Sequence, residues 1–328
     1  MRVLVTGGTS LLARRTAEAL TARGDQVVLL QRTSSPLDLA QVLGDIRDHD
    51  AVTKAMDGCD AVIHAAAKVG VVGTWDDYRT INVDGVANVL MAARQQNVSR
   101  VVHVSTPSVA HAGHSLVGAV AEPPVVGRSR SYYAESKALG ERLAIAAASD
   151  ALPVVIVRPH LVWGPGDTQL VGRIVQRARA GRLALIGHGT ALIDTTYIDN
   201  AASALIAALD AATPGSACLG QAYVIANGEP RPIAELIDGI LAAAGVPVTP
   251  RRVPLWVALR AGSMIERIWM VRGGEREPPL TRFLAEQLGT AHWFDPRPAR
   301  DDLNWAPTVS LDEGLQRLTD WFAAGSPA

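Results

Sequence analysis

The chain opens with a short apolar run, Val3, Leu4, Val5 and Thr6, and breaks it at once with Gly7 and Gly8. From Leu11 to about residue 23 the apolar positions recur with helical spacing, and Gly24 ends the pattern. A buried strand, a glycine turn and a helix in this order bring a helix N-terminus to the carboxyl end of a strand. Unpaired amides and the helix dipole attract a phosphate there, so this is the start of a dinucleotide-binding fold. Runs of the buried-parallel kind recur at 27–30, 60–64, 100–105 and 154–157, mostly separated by helical patterns. A strand followed by a helix over 197–209 and a further strand at 222–226 come later. The expected fold is α/β, a Rossmann-type doubly wound parallel sheet with a smaller, mostly helical C-terminal substrate domain. The sheet domain would hold 1–166 and take back about 194–226, leaving 167–193 and 227–328 as the substrate domain and lid.

The glycine turn departs from a TGxxGxxG pattern, carrying Ser10 and Ala13 at the later glycine positions. Gly7, Ser10, Leu11 and Leu12 are the candidate residues around a pyrophosphate. The second strand ends at Gln31-Arg32, where an acid would accept the adenosine ribose hydroxyls of NAD. A neutral residue followed by arginine, with Thr33, Ser34 and Ser35 close behind, suits a 2′-phosphate. NADP(H) is therefore expected in preference to NAD(H). Asp45 and Ile46, at the end of a third short strand, would meet the adenine edge.

The chemistry is carried by Tyr133 and Lys137, four residues apart and so on one face of a helix. A phenol titrates near pH 10, too high for acid–base work at neutral pH. A neighbouring ammonium would stabilise the phenolate and lower that pKa.

The 328 residues suffice for about two domains and an ample core. With 31 Lys and Arg against 32 Asp and Glu, net charge −1, there is no electrostatic case for nucleic acid. Two distant cysteines, Cys59 and Cys218, suggest neither a disulfide framework nor a metal site. His111 and His114 have no carboxylate or cysteine partner nearby and read as loop histidines. No uncharged apolar run reaches the roughly 20 residues that span a bilayer, so a cytoplasmic protein is expected. Residues 253–271 combine an apolar stripe with Arg260, Glu266 and Arg267, and Trp256 and Trp269 stand near the ends. They read as a lid over a hydrophobic pocket, as a helix lying on a membrane surface, or as an ordinary packed helix. Trp75, Tyr78 and Trp163 are candidates for a pocket wall or for the core.

Taken together, TGGTSLLA, His64 to Ala67, Asn82 to Asn88, Val104-Ser105-Thr106, Tyr133 with Lys137, and Arg158 to Asp167 resemble the extended short-chain dehydrogenase/reductase family. The resemblance implies Tyr133 as the acid that protonates a substrate oxygen, and Lys137 as its partner and a ligand of the nicotinamide ribose. It implies Thr106, with Ser105 as the competitor, as the hydroxyl that holds the substrate carbonyl. Ala65 and Ala66 would keep the backbone close to the cofactor, Pro159 and His160 would lie near the carboxamide, and Asn82 would tie the central strands to a helix. The family's dehydratases carry Asp-Glu where this chain has Pro107-Ser108, and its sugar-nucleotide enzymes carry asparagine at Leu161. Ser105 to Val109, His160 to Asp167, Asp194 to Asn200 and Pro278 to Leu288 are similar to the 3β-hydroxysteroid dehydrogenase branch. Within it they are similar to the bacterial reductases of olefin biosynthesis. The implied reaction is NADPH-dependent reduction of a hydrophobic β-keto acid, 2-alkyl-3-oxoalkanoate to 2-alkyl-3-hydroxyalkanoate. Oxidation of a 3β-hydroxysteroid is the second reading, and epimerase or dehydratase chemistry the third. The same resemblance implies a homodimer through helices over 83–96 and 133–148, and membership of a larger pathway assembly.

Overall fold

The computed structural model describes residues 1–70, 72–110, 115–127, 129, 131–247, 250–272 and 281–325. His111, His114 and residues 278–280 lie outside these, as do the side chains of Trp269, Phe283, Leu284 and Gln287.

The N-terminal strand β1 (Arg2–Thr6) is buried from Val3 onward and pairs in parallel on both edges. It enters α1 (Leu11–Ala22), then β2 (Gln26–Gln31), β3 (Ala40–Leu43), α2 (His49–Met56) and β4 (Ala61–His64). After α3 (Trp75–Arg79) and α4 (Gly85–Gln95) come β5 (Arg100–Val104), β6 (Leu116–Ala119), α5 (Tyr132–Ala147) and β7 (Val154–Pro159). The large sheet has seven strands, with β3, β2, β1, β4, β5 and β7 in spatial order and Ala222–Ile225 at the far edge. All of its pairings are parallel. The order reverses between β1 and β4, which opens a crevice at the carboxyl ends of the strands.

Alternation along β1 divides the core. Val3 and Val5 join Ala13, Ala17, Leu205 and Ala208 on one face, while Leu4 joins Val52, Val89, Ala93 and Ala144 on the other. The late helix Ile198–Ala211 thus covers the same face as α1, and α2, α4 and α5 cover the opposite one.

The C-terminal region is less purely helical than the sequence suggests. A four-stranded sheet joins Arg231–Pro232, Leu192–Ile193, His292–Phe294 and β6 in that order. The strand β6 falls where a loop is expected. Its partner His292–Phe294 is distant in sequence, so no hairpin pattern announces the pair. The helix expected over 83–96 begins earlier, as a π-turn through Thr80–Asp84 that runs into α4. The helix expected over 253–271 is Leu255–Arg272, preceded by a strand Arg251–Val253. Trp163 is fully buried and meets Tyr197 edge-on, and Tyr78 is 1% exposed, so both belong to the core and not to a pocket wall. Among the described residues, no helix is long and apolar enough to cross a membrane.

Candidate active site

The end of β5 and the first turns of α5 bring together the candidate residues Thr106, Tyr133 and Lys137. Pro107 opens a short 3₁₀ turn, Pro107–Val109, and Thr106 caps it by accepting from the Ser108 amide at 3.3 Å. Held there, Thr106 donates to Ser108 Oγ at 3.3 Å, and its hydroxyl acts on the Tyr133 phenol, pulling its pKa down. Its neighbour Ser105 turns away and donates to Glu141. Of the two candidate hydroxyls, Ser105 is engaged by Glu141, and Thr106 is the one that bears on the tyrosine pKa.

Lys137 lies one turn beyond Tyr133, is 3% exposed, and donates from Nζ to the Val104 carbonyl at 2.7 Å. Burial pulls its pKa down to about 8, against an upward pull from the Glu141 charge. The sequence suggests that this ammonium lowers the tyrosine pKa, but the Tyr133 phenol is raised. Burial raises it, and the Thr106 hydroxyl only partly opposes that. The ammonium is drawn to the strand carbonyl instead.

Asn82, fully enclosed, fixes the corner from behind. Its Oδ1 accepts from the Lys68 amide at 2.7 Å, and its Nδ2 donates to the Lys68 carbonyl at 2.9 Å and to Ser136 Oγ at 3.0 Å. The segment after β4 and α5 are joined by this one side chain. Close approach depends on Gly140, where a Cβ would stand 2.2 Å from the Asn82 carbonyl oxygen. Tyr132 is exposed and packs at an angle against Trp75 and Tyr78.

Across the crevice, Gly7 sits at φ 77°, and a Cβ there would stand 2.8 Å from Ala66 Cα. The turn therefore lies directly against Ala65 and Ala66, and the Ala66 amide donates to Thr6 Oγ1 at 3.1 Å. Ser10, where the pattern would place a glycine, is the N-cap of α1 and accepts from the Ala13 amide at 3.3 Å. Leu11 and Leu12 are half-buried and pack against the core cluster of Trp163, Ile174 and Tyr197, and Leu11 also faces Gly166. Beneath the turn, the buried Gln31 Oε1 has no partner among the described residues. A cradle that a Cβ would fill, a capped helix N-terminus and a free buried acceptor together fit a dinucleotide.

Arg32 is exposed at the rim, and its charge reaches Asp45. Arg47, which the sequence does not single out, grips the Asp45 carboxylate at 3.0 and 2.7 Å and holds its pKa down. Ile46 is buried against Gly85, and Asn88 holds its carbonyl at 3.0 Å. Pro159 ends β7. The His160 ring bonds to the Asp194 carbonyl at 2.5 Å and stands edge-on to Phe294, so it serves the joint between the two sheets. Among the described residues, no cluster of side chains could hold a metal ion.

This combination of a reversed parallel sheet, glycine cradle and Thr–Tyr–Lys corner has clear relatives. Residues 3–226 match the NAD dependent epimerase/dehydratase family. The chain is 45% identical to a 2-alkyl-3-oxoalkanoate reductase of Stenotrophomonas maltophilia, over 99% of this chain and 100% of that protein. It is 39% identical to a protein of the same name from Shewanella oneidensis, over 96% of this chain and 84% of that one. The fold superimposes with a TM-score of 0.77 on an epimerase of Methanothermobacter thermautotrophicus, at 21% identity over 99% of this chain and 92% of that one. The chain belongs to the NAD dependent epimerase/dehydratase family, the extended short-chain dehydrogenases/reductases. It is an NAD(P)-dependent oxidoreductase with relatives in the 3β-hydroxysteroid dehydrogenase branch.

Proposed function

We propose that this protein is an NADPH-dependent reductase of a hydrophobic β-keto acid, converting a 2-alkyl-3-oxoalkanoate to the 2-alkyl-3-hydroxyalkanoate. The observation that carries this reading is the 45% identity, spanning 99% of the chain, to a reductase of that name. The hydroxyls of Thr106 and Tyr133 would together hold a carbonyl oxygen, and the influence of Thr106 on the Tyr133 phenol supports this. When bound, the nicotinamide supplies the hydride. Tyr133, raised by burial, is a protonated phenol at neutral pH, ready to donate its proton to the oxygen as negative charge grows there. Lys137 would hold the nicotinamide ribose.

Two departures support an apolar substrate over a sugar nucleotide. Pro107-Ser108 offers no acid for an elimination step. Leu161 sits at φ 41°, a conformation asparagine adopts more readily, so an apolar side chain is kept there at a backbone cost of roughly 1 kcal/mol. Arg32 at the rim and the absence of an acid at Gln31 support NADP(H).

The test follows absorbance of the nicotinamide. NADPH should be oxidised with a 2-alkyl-3-keto acid, and NAD should not be reduced with a 3β-hydroxysteroid. Steroid oxidation without turnover of the keto acid would replace this reading with the steroid dehydrogenase one.

A further inference from the structure

Glu141 lies one turn beyond Lys137 on α5 and is fully buried. Its Oε2 accepts from the Ser105 hydroxyl and from Arg158 Nε at 3.1 Å, and its Oε1 accepts from Arg158 Nη2. Arg158, 1% exposed, donates through Nη1 to the Glu122 carbonyl at 2.8 Å. Two residues of α5 spaced one helical turn apart thus engage two consecutive residues at the end of β5, and Tyr133, one turn earlier, lies on the same helix face. Lys137 takes the Val104 carbonyl and Glu141 the Ser105 hydroxyl, and the next residue, Thr106, is the one whose hydroxyl pulls the Tyr133 pKa down.

A buried ion pair contributes little stability that a packed hydrophobic pair would not supply equally well. A hydrophobic pair would, however, leave Ser105 without its acceptor and Lys137 without an adjacent negative charge. Among the described residues, His64 on β4 and His103 on β5 also feel the Lys137 charge. Both histidines are buried and held neutral, with pKa values well below the usual range.

We propose that Glu141 is a positioning residue of the reaction, fixing Ser105 so that Thr106 presents its hydroxyl to Tyr133 and providing the counter-charge beside which Lys137 works. The Glu141 charge opposes the downward pull of burial on the lysine. This rests on the reading of Tyr133 and Lys137 as proton donor and ribose ligand, but not on the identity of the substrate.

The test compares Glu141→Gln, Arg158→Lys and Ser105→Ala in the full chain. The Lys137 titration is read by NMR of lysine labelled at Cε, assigned with Lys137→Met, and needs neither cofactor nor substrate. In Glu141→Gln the Lys137 midpoint should fall by about one unit, because the opposing charge is gone. In Arg158→Lys the thermal midpoint should fall while the Lys137 midpoint stays put. With whatever carbonyl compound the wild type reduces, Ser105→Ala should lower kcat about tenfold and leave KM nearly unchanged. A folded Glu141→Gln with the wild-type Lys137 midpoint would overturn the proposal, as would an equal shift in Arg158→Lys. Should Glu141→Gln not fold, Ser105→Ala decides alone, and a wild-type kcat there sinks the positioning role. A wild type that ignores β-keto acids but reduces another carbonyl defeats the substrate reading and leaves this one standing.

Discussion

At the scale of single residues, side chains separated by one helical turn were legible, and the forces acting on them were not. Four-residue spacing placed Tyr133 and Lys137 on one face, and Glu141 continues the series. Nothing in the spacing showed that the lysine would bond to the Val104 carbonyl, because that partner belongs to another element. Arg47 was hidden for the opposite reason. It acts locally on Asp45 through a two-residue turn, and no pattern marks such a contact. Arg32 is exposed with its charge beside Asp45, so it is available to a 2′-phosphate. Arg32→Ala should weaken NADPH binding roughly 10- to 100-fold, the range for one charged hydrogen bond, and NADH binding by much less. Fluorescence titration with both nucleotides checks this, and equal losses would remove Arg32 from 2′-phosphate recognition.

At the scale of elements, the large sheet was readable because its strands are buried on both faces and so appear as continuous apolar runs. The small sheet was not readable. Its strands are two to four residues long and pair across distant parts of the chain. The π-turn Thr80–Asp84 was equally invisible, yet it brings the Asn82 carbonyl against α5 at Gly140. Gly140→Ala puts a methyl group into that backbone and should cost about 2–3 kcal/mol, with part of the activity lost as Tyr133 shifts. Chemical denaturation and a rate measurement test this together. Wild-type stability in the variant would mean that α5 does not press on the π-turn.

At the scale of the whole molecule, the two sheets meet where Asp194 accepts from the Gly228 and Glu229 amides at 3.1 and 3.2 Å. Burial, aided by Glu229, raises the Asp194 carboxyl to about 7. The folded state then holds its proton more tightly than the unfolded chain, so this group favours folding below about pH 4. That contribution is lost as pH rises toward 7. Thermal melting between pH 5 and 8 should therefore fall more steeply in the wild type than in Asp194→Asn, and parallel curves would contradict the assignment.

The proposed reaction rests on one hydroxyl, the Tyr133 phenol, which burial keeps protonated. The direct test is kcat/KM of Tyr133→Phe for NADPH-dependent reduction of a 2-alkyl-3-keto acid, measured with the NADPH dissociation constant. Loss of the proton donor should lower kcat/KM by about 10²- to 10⁴-fold with NADPH affinity essentially unchanged, and a wild-type rate in the variant would contradict it.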